Sequence, residues 1–308
     1  MNISRREMLR ISAGTGAALL LSETRAWTHD KPLLMRSIPS SEQEFPAVGL
    51  GSARTFSVGP SDEEQAPLRD VLRLFHEMGG RFFDTAPSYG SSERVAGQLV
   101  QELGIQNDLF FATKISTGGG REVGIDQQKA SLQSWGRDTI DLNQVHNLRD
   151  VDIHLETIRQ AKEEGRTRYV GVTTSFTRQY DQMEQVLRTE ELDFVQLNYS
   201  LGEREAAERL LPLAQDRGIG VVVNEPYNVG RLFTAIRGRE LPGWATEFDC
   251  RSWAQFFLKY ILAHPAVTVV IPATSDPEHL IDNMGASVGR LPDTRTRMRM
   301  EVLFDGMA

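Results

Sequence analysis

Short apolar runs alternate with helical patterns along the chain from residue 47 onward. Between the runs, apolar residues recur at the i, i+3, i+4, i+7 spacing of one buried helix face, as in Leu68, Val71, Leu72 and Phe75. Strands alternating with helices predict a parallel sheet covered by helices. The runs that have the length of buried strands cover 47–51, 81–86, 109–115, 140–146, 169–174, 194–199, 220–225 and 267–273.

Eight such strands, with no break in composition between them, predict one α/β domain, a (β/α)8 TIM barrel. An open doubly wound sheet is the alternative, but it usually carries three glycines in the turn after its first strand. The corresponding segment here contains Gly49 and Gly51 and lacks the third glycine. We also expect residues 35–46 to form a hairpin that closes the bottom of the barrel.

The first 26 residues have the layout of an export signal. Arg5 and Arg6 precede an uncharged run over 11–21, and a small residue, Ala26, follows at a position suited to cleavage. The paired arginines resemble a twin-arginine signal, which implies the Tat export machinery as a partner and a periplasmic location. The alternative is an amphipathic helix that caps the barrel, and a chain whose signal is not used would be cytoplasmic. We therefore predict a signal peptide, 1–26, and one barrel domain, 27–308.

Composition excludes several classes of function. The formal net charge is −8 and no basic stripe follows residue 30, so nucleic acid is not expected as a partner. The single cysteine, Cys250, excludes an internal disulfide and a cysteine-rich zinc site, and we predict no metal. No apolar stretch has the length of a membrane helix, so we expect no membrane insertion of the mature chain.

Four titratable residues lie at or near the C-terminal ends of predicted strands. Asp84 follows Phe83 in the second strand, and Tyr89 comes five positions later. Lys114 and His146 lie at the ends of the third and fourth strands. Active sites of (β/α)8 barrels form at this end, and neighbouring strands are about 4.8 Å apart, so the four side chains can meet. Such a group indicates a proton-transfer site, because unpaired charges in a core are costly.

The chemistry of these four side chains predicts proton donation to a carbonyl oxygen. A phenol with a pKa of about 10 is a poor donor at neutral pH, and a nearby ammonium lowers that pKa. Lys114 can act in this way on Tyr89, and Asp84 can pair Lys114. His146 can hydrogen-bond a substrate oxygen and polarise it. Together they would protonate the oxygen of a carbonyl group while hydride arrives at its carbon.

Residues 83–93, Phe-Asp-Thr-Ala-Pro-Ser-Tyr-Gly-Ser-Ser-Glu, resemble the second-strand signature of the aldo-keto reductase family. Lys114 and His146 match the remaining catalytic positions of that family in spacing and local sequence, and the likeness extends over 46–283. The resemblance implies a (β/α)8 barrel that binds a nicotinamide cofactor without a Rossmann domain and reduces a small aldehyde or ketone. It also implies Tyr89 as general acid, tuned by Lys114 and Asp84, with His146 orienting the substrate.

The resemblance also implies contacts to the cofactor. Gln196 matches a residue that holds the nicotinamide carboxamide, whereas Thr173 and Thr174 stand where the family usually has Ser-Asn. A threonine hydroxyl can accept a hydrogen bond but cannot mimic an amide. Asn224 stands where many members place an aromatic ring. The candidate cofactor residues are Gly51, Ser52, Thr173, Thr174, Gln196, Asn224, Gly230, Arg231, Thr274, His279 and Asn283.

The segment after the eighth predicted strand bears on the choice between NADP(H) and NAD(H). Ser275 and Glu278 have the spacing of a capping box, and a helix that starts there can bind phosphate at its N-terminus. In relatives that prefer NADPH, a lysine and an arginine of this segment grip the 2′-phosphate. Ala273 and His279 stand at those positions, and Asp276 adds negative charge. Two contacts of about 1.5–3 kcal/mol each are therefore missing. The family favours NADP(H), and NAD(H) is the alternative.

Two other classes of function stay open at this point. The barrel could bind a nicotinamide cofactor as a sensor or interaction module with little catalysis, because several cofactor positions depart from the family pattern. A hydrolase that uses Asp84 and Glu225 as acid and base is the third reading, and it leaves Lys114 without a role. An exported reductase would also need to carry its cofactor bound or to work with an unknown redox partner, since the periplasm is not expected to supply nicotinamide cofactor.

Overall fold

A computed structural model describes residues 32–307 of the chain. The predicted export signal, 1–26, lies outside the described residues. Within 32–307, no helix is both long and apolar enough to cross a membrane.

An antiparallel hairpin precedes the barrel, as the sequence predicts for 35–46. Its strands are β1 (Met35–Ser37) and β2 (Glu44–Pro46). The ring of Phe45 packs 5.4 Å from the rings of both Phe82 and Phe110, measured between centroids. The hairpin therefore covers the N-terminal ends of the barrel strands and closes the bottom of the core.

Eight parallel strands follow, and each pairs with its neighbour along the chain. Backbone hydrogen bonds join the first of them to the last, because the amide of Gly49 donates to the carbonyl of Val270 at 2.9 Å. The sheet is thus a (β/α)8 barrel, and the doubly wound alternative is wrong. The strands are β3 (Leu50–Gly51), β4 (Phe82–Asp84), β5 (Phe110–Ile115), β6 (Ile140–His146), β7 (Thr167–Thr173), β8 (Phe194–Asn198), β9 (Gly220–Asn224) and β10 (Val267–Val270).

Helices lie between the strands, and the predicted apolar periodicity is confirmed in the first of them. Leu68, Val71, Leu72 and Phe75 are all buried, and Ser61 caps the helix by accepting a hydrogen bond from the amide of Glu64. The helices are α1 (Asp62–Glu77), α2 (Ser92–Leu103), α3 (Gly120–Trp135), α4 (Val151–Glu163), α5 (Tyr180–Thr189), α6 (Leu210–Asp216), α7 (Arg231–Ala235), α8 (Trp253–Leu262), α9 (Pro277–Gly285) and α10 (Thr294–Asp305).

The interior of the barrel changes from apolar to polar along β4 to β9, as β6 shows. Leu142 belongs to the apolar cluster near the hairpin, and Gln144 and His146 follow it at two-residue intervals on β6. Side chains two residues apart in a strand point to the same face, so all three point into the barrel. The C-terminal ends of the strands therefore form a polar mouth above an apolar base.

Candidate active site

Asp84 and Lys114 form a buried ion pair on the neighbouring strands β4 and β5. Lys114 Nζ lies 2.7 Å from Asp84 Oδ2, and the two side chains are only 0% and 4% exposed. The ammonium also donates to the carbonyl oxygen of Thr85 at 2.8 Å. Burial lowers the pKa of Lys114. The negative charge of Asp84 and the contact with Tyr89 together raise it by more than burial lowers it, so the net pKa is above its ordinary value. Lys114 is a cation at neutral pH.

The second carboxylate oxygen of Asp84 is also engaged. Gln196 Nε2 donates to Oδ1 at 2.8 Å, and the hydroxyl of Thr173 in turn donates to Gln196 Oε1 at 3.0 Å. Because Lys114 and Gln196 occupy both oxygens, Asp84 holds its neighbours in place and is not free to act on a substrate. This arrangement argues against the hydrolase reading, which needs a carboxyl group that reaches the bond to be cleaved.

Tyr89 lies in the loop after β4, next to the ammonium of Lys114. Nζ is 5.2 Å from the centroid of the phenol ring. Burial raises the pKa of Tyr89, and Lys114 opposes this effect without reversing it, so the net pKa lies above its ordinary value. Lys114 thus acts on the pKa of the phenol in the expected direction, but the net pKa stays above its ordinary value because burial penalises the phenolate more than the ammonium stabilises it. The phenol keeps its proton until a bound group takes it.

His146 ends β6 and faces Tyr89, with the two ring centroids 5.7 Å apart and the planes nearly perpendicular. Burial lowers the pKa of His146 to about 3, assisted by the positive charges of Lys114 and Arg149. The imidazole is therefore neutral at physiological pH. It can hydrogen-bond an oxygen of a substrate, but it carries no charge that would compete with the phenol as proton donor.

A cavity of about 800 Å³ opens at the mouth of the barrel. This volume lies in the range of ligand-binding pockets. Asp84, Tyr89 and His146 line it, and Lys114 lies buried behind them. Of the candidate cofactor residues, the structure brings the following into the wall: Gly51, Ser52, Thr173, Gln196, Asn224 and Gly230.

Two polar atoms of this wall are buried without a hydrogen-bond partner among the described residues. They are the hydroxyl oxygen of Ser52 and Oδ1 of Asn224, whose amide nitrogen donates to the carbonyl of Thr174. Buried polar atoms are normally paired, so these two call for a polar ligand. The wall therefore fits a group rich in hydrogen-bonding atoms, such as a nicotinamide nucleotide. No three His, Cys, Asp or Glu side chains within 32–307 are placed to hold a metal ion.

Other candidate cofactor residues do not reach the cavity. The hydroxyl of Thr174 donates to Gln179 Oε1 at 2.6 Å within its own loop, and the following residue, Ser175, lines the cavity instead. Arg231 is exposed at the start of α7, whereas the preceding Gly230 is in the wall. At both positions a neighbouring residue lines the cavity in place of the predicted one.

The start of α9 differs from the predicted capping box. Asp276 is the N-cap, and its carboxylate accepts hydrogen bonds from the amides of Glu278 and His279. Pro277 occupies the first helical position, where its fixed φ suits the helix and its missing N–H breaks no helical hydrogen bond. The cap is therefore the residue before it, Asp276, and not Ser275.

The remaining candidates flank this cap and do not line the cavity. Thr274 accepts a hydrogen bond from the amide of Asp276 at 3.0 Å, and the side chain of His279 is 75% exposed. Asn283 is buried and accepts a hydrogen bond from the hydroxyl of Tyr227, which is itself in the cavity wall. Asn283 thus supports the wall from behind.

Arg54, Asn147 and Val229 of the mouth are not among the residues predicted from the sequence, and Glu225 is considered there only as a carboxyl of a hydrolase. Arg54, Asn147, Glu225 and Val229 line the cavity, and all four have positive φ, a conformation that is strained for residues other than glycine. Burial raises the pKa of Glu225, with Arg54 opposing the shift. Such strain is concentrated at functional sites. Position within a few residues of a strand end is the one signal in the sequence that could have identified them.

Known proteins share this architecture. Residues 47–300 match the model of the aldo/keto reductase family. An aldo-keto reductase of Strobilurus tenacellus is 25% identical over 303 residues, which cover 85% of this chain and 89% of the relative. The NADH-specific methylglyoxal reductase of Escherichia coli is 26% identical over 245 residues, covering 68% and 73% of the two chains. The crystal structure of an aldo/keto reductase from Klebsiella pneumoniae in complex with NADP and acetate aligns with a TM-score of 0.73 at 22% identity, covering 85% of this chain and 93% of that one.

Proposed function

This chain belongs to the aldo/keto reductase family, and we propose that it is an NAD(P)H-dependent oxidoreductase that reduces a small aldehyde or ketone to an alcohol. The observation that carries this proposal is the buried Lys114–Asp84 pair behind Tyr89 and His146 at one barrel mouth. A buried charged pair adds little to the stability of a core compared with apolar residues of the same size, but next to a phenol it stabilises the phenolate that proton donation leaves behind.

Each of the four residues has a distinct task in this mechanism. A reduced nicotinamide, when bound, supplies hydride to the carbonyl carbon. As negative charge develops on the carbonyl oxygen, Tyr89 donates its phenolic proton to that oxygen. Lys114 stabilises the phenolate that remains, and Asp84 keeps the ammonium in place. His146 hydrogen-bonds the same oxygen and orients it toward the phenol. The alternative of a cofactor-binding sensor with little catalysis is not favoured, because a binder needs none of these proton-transfer groups.

The polar wall of the cavity supports cofactor binding by Ser52, Thr173, Gln196 and Asn224. We propose NADP(H) as the favoured cofactor and NAD(H) as the alternative. The Klebsiella structure in complex with NADP supports the first, and the NADH-specific relative from Escherichia coli supports the second. In this chain the segment expected to meet the 2′-phosphate carries the carboxylate of Asp276 and no lysine or arginine.

Replacing Asp276 by asparagine is expected to lower the KM for NADPH by about two- to fivefold while leaving the KM for NADH unchanged. The reason is that the substitution removes one exposed negative charge, which repels the 2′-phosphate that only NADPH carries. Asparagine can still accept the capping hydrogen bonds, so α9 keeps its start. Steady-state kinetics with both cofactors measure the change, and Asp293→Asn, the same substitution at the N-cap of α10, is the matched control. Equal effects on both cofactors would show that Asp276 does not face the 2′-phosphate.

We propose that the protein is exported to the periplasm by the Tat machinery, on the basis of the paired Arg5 and Arg6 before the uncharged run. The expected product is a mature chain that begins after Ala26, with cofactor bound before export or served by an unknown redox partner. N-terminal sequencing of protein from the periplasmic fraction tests this, with an Arg5→Lys/Arg6→Lys variant as the control. An intact Met1, or an unchanged location of the variant, would contradict export by this route.

A further inference from the structure

Two serine hydroxyls from different loops meet one nitrogen of His146. Ser116 Oγ lies 2.7 Å from Nδ1, and Ser88 Oγ lies 3.2 Å from the same atom. Nε2 has no hydrogen-bond partner among the residues that the structure describes. The ring is therefore anchored through one nitrogen, and the other is left for a molecule in the cavity.

The contact between the two hydroxyls has a defined direction, whereas the direction of their contacts to Nδ1 depends on the tautomer of His146. Ser88 Oγ donates to Ser116 Oγ at 3.3 Å, so Ser116 is the acceptor in that contact. A hydroxyl has a single proton, and the remaining partner of Ser116 Oγ is Nδ1 of His146. The proton of Ser116 is thus available to Nδ1, and a relay from Ser88 through Ser116 to the imidazole fits the three contacts in which the two hydroxyls and Nδ1 take part.

The backbone of Ser116 is itself fixed. Its amide donates to Gln127 Oε1 at 2.8 Å, its carbonyl accepts a hydrogen bond from Arg149 at 3.4 Å, and the residue is only 7% exposed. These contacts hold the hydroxyl at the place where Nδ1 needs a donor. Ser88, in contrast, is exposed at the rim of the cavity.

We propose that Ser116 is a positioning residue that holds His146 in the Nε2–H tautomer. The proposal rests on the reductase function inferred above. A neutral imidazole has one proton, and an Nδ1 that accepts from Ser116 places this proton on Nε2. Nε2–H and the hydroxyl of Tyr89 then form two donors that converge on the carbonyl oxygen of the substrate. The opposite tautomer would turn an acceptor lone pair toward that oxygen and repel it.

Two donors aimed at one oxygen stabilise the negative charge that develops there during the reaction. Loss of such a donor typically lowers kcat by about 10²–10³-fold. In Ser116→Ala the ring still samples the correct tautomer part of the time. We therefore expect kcat to fall by about 10- to 100-fold, with a smaller change in KM because the effect is felt mainly in the transition state.

The direct test is ¹⁵N NMR of the purified full-length protein with labelled histidine, in which a His146→Asn spectrum assigns the resonance. The wild type is expected to show a protonated Nε2 and an unprotonated Nδ1. Ser116→Ala is expected to shift this pattern toward a mixture of tautomers, and Ser116→Thr, which keeps a hydroxyl, to restore it together with kcat. Ser88→Ala is expected to have a smaller effect than Ser116→Ala. Ser41→Ala, at the opposite end of the barrel, is the control for activity.

A proton on Nδ1 in the wild type would overturn the proposal, as would an unchanged NMR pattern in Ser116→Ala. If Ser116→Ala does not fold, the wild-type spectrum and Ser88→Ala still decide the outcome. Absence of carbonyl reduction by the wild type would refute the proposed function instead. The NMR pattern does not depend on turnover, so the two failures are distinguishable.

Discussion

Replacement of Tyr89 by phenylalanine is expected to lower kcat for carbonyl reduction by about 10²–10⁴-fold, the usual contribution of a general acid. The phenol is the group beside the cavity that keeps its proton, because burial holds its pKa above the ordinary value, and Lys114 stands ready to stabilise its anion. Phenylalanine fills the same space and takes away only the proton donor. The affinity for cofactor is therefore expected to stay unchanged.

Oxidation of NADPH or NADH with a generic aldehyde measures the rate, and quenching of protein fluorescence by the cofactor measures binding. Tyr169→Phe is the matched control, because that hydroxyl contacts Ser41 Oγ at 2.9 Å at the bottom of the barrel. It is expected to retain wild-type kcat. A Tyr89→Phe variant that still reduces the aldehyde at the wild-type rate would exclude the mechanism.

Replacement of Lys114 by methionine is expected to cost about 3–5 kcal/mol of stability, the typical effect of removing one partner of a buried ion pair. Asp84 would remain buried, with hydrogen bonds from glutamine but no compensating cation. Activity is expected to fall by about 10²–10³-fold as well, because the phenolate of Tyr89 loses its stabilising charge. Denaturation in urea measures the free energy of unfolding, and the aldehyde assay measures kcat.

The double variant Asp84→Asn/Lys114→Met separates the two effects. It removes the buried carboxylate together with its cation, and asparagine can still accept the hydrogen bond from Gln196. Stability is therefore expected to recover most of the loss seen in Lys114→Met, whereas activity is not. Recovery of activity in the double variant would mean that the ammonium has no part in proton transfer. Equal stability of the single and double variants would mean that the pair is not coupled.

The residues proposed for proton transfer and those proposed for cofactor binding differ in how closely they follow the family. Asp84, Tyr89, Lys114 and His146 are all present and in contact range, whereas Thr174 turns away from the cavity and Asp276 caps α9. The residues present therefore define the proposed proton transfer better than they define which cofactor, NADPH or NADH, supplies the hydride. The two cofactors are best compared in kinetics on one preparation, with Asp276→Asn alongside.

Much of the fold could be predicted because it depends on local patterns. All eight predicted strands overlap observed ones, and the hairpin of β1 and β2 forms within the predicted range. The ends of the strands are less predictable, because pairing with a strand that is distant in sequence decides where the hydrogen bonds between the two strands end. The sequence predicts the cap of α9 at Ser275, whereas the structure has it at Asp276, because Pro277 fixes the first helical position.

The sequence by itself determined the barrel and the four residues that we propose for proton transfer. Alternating strands and helices put the C-terminal ends of all strands at one mouth, so Asp84, Lys114 and His146 had to meet there. Only the tertiary structure decided that burial outweighs Lys114 in setting the pKa of Tyr89, and that Ser116 anchors His146 from another loop. The physical reason is that burial and hydrogen-bond partners depend on which distant segments come together, and no local periodicity records them.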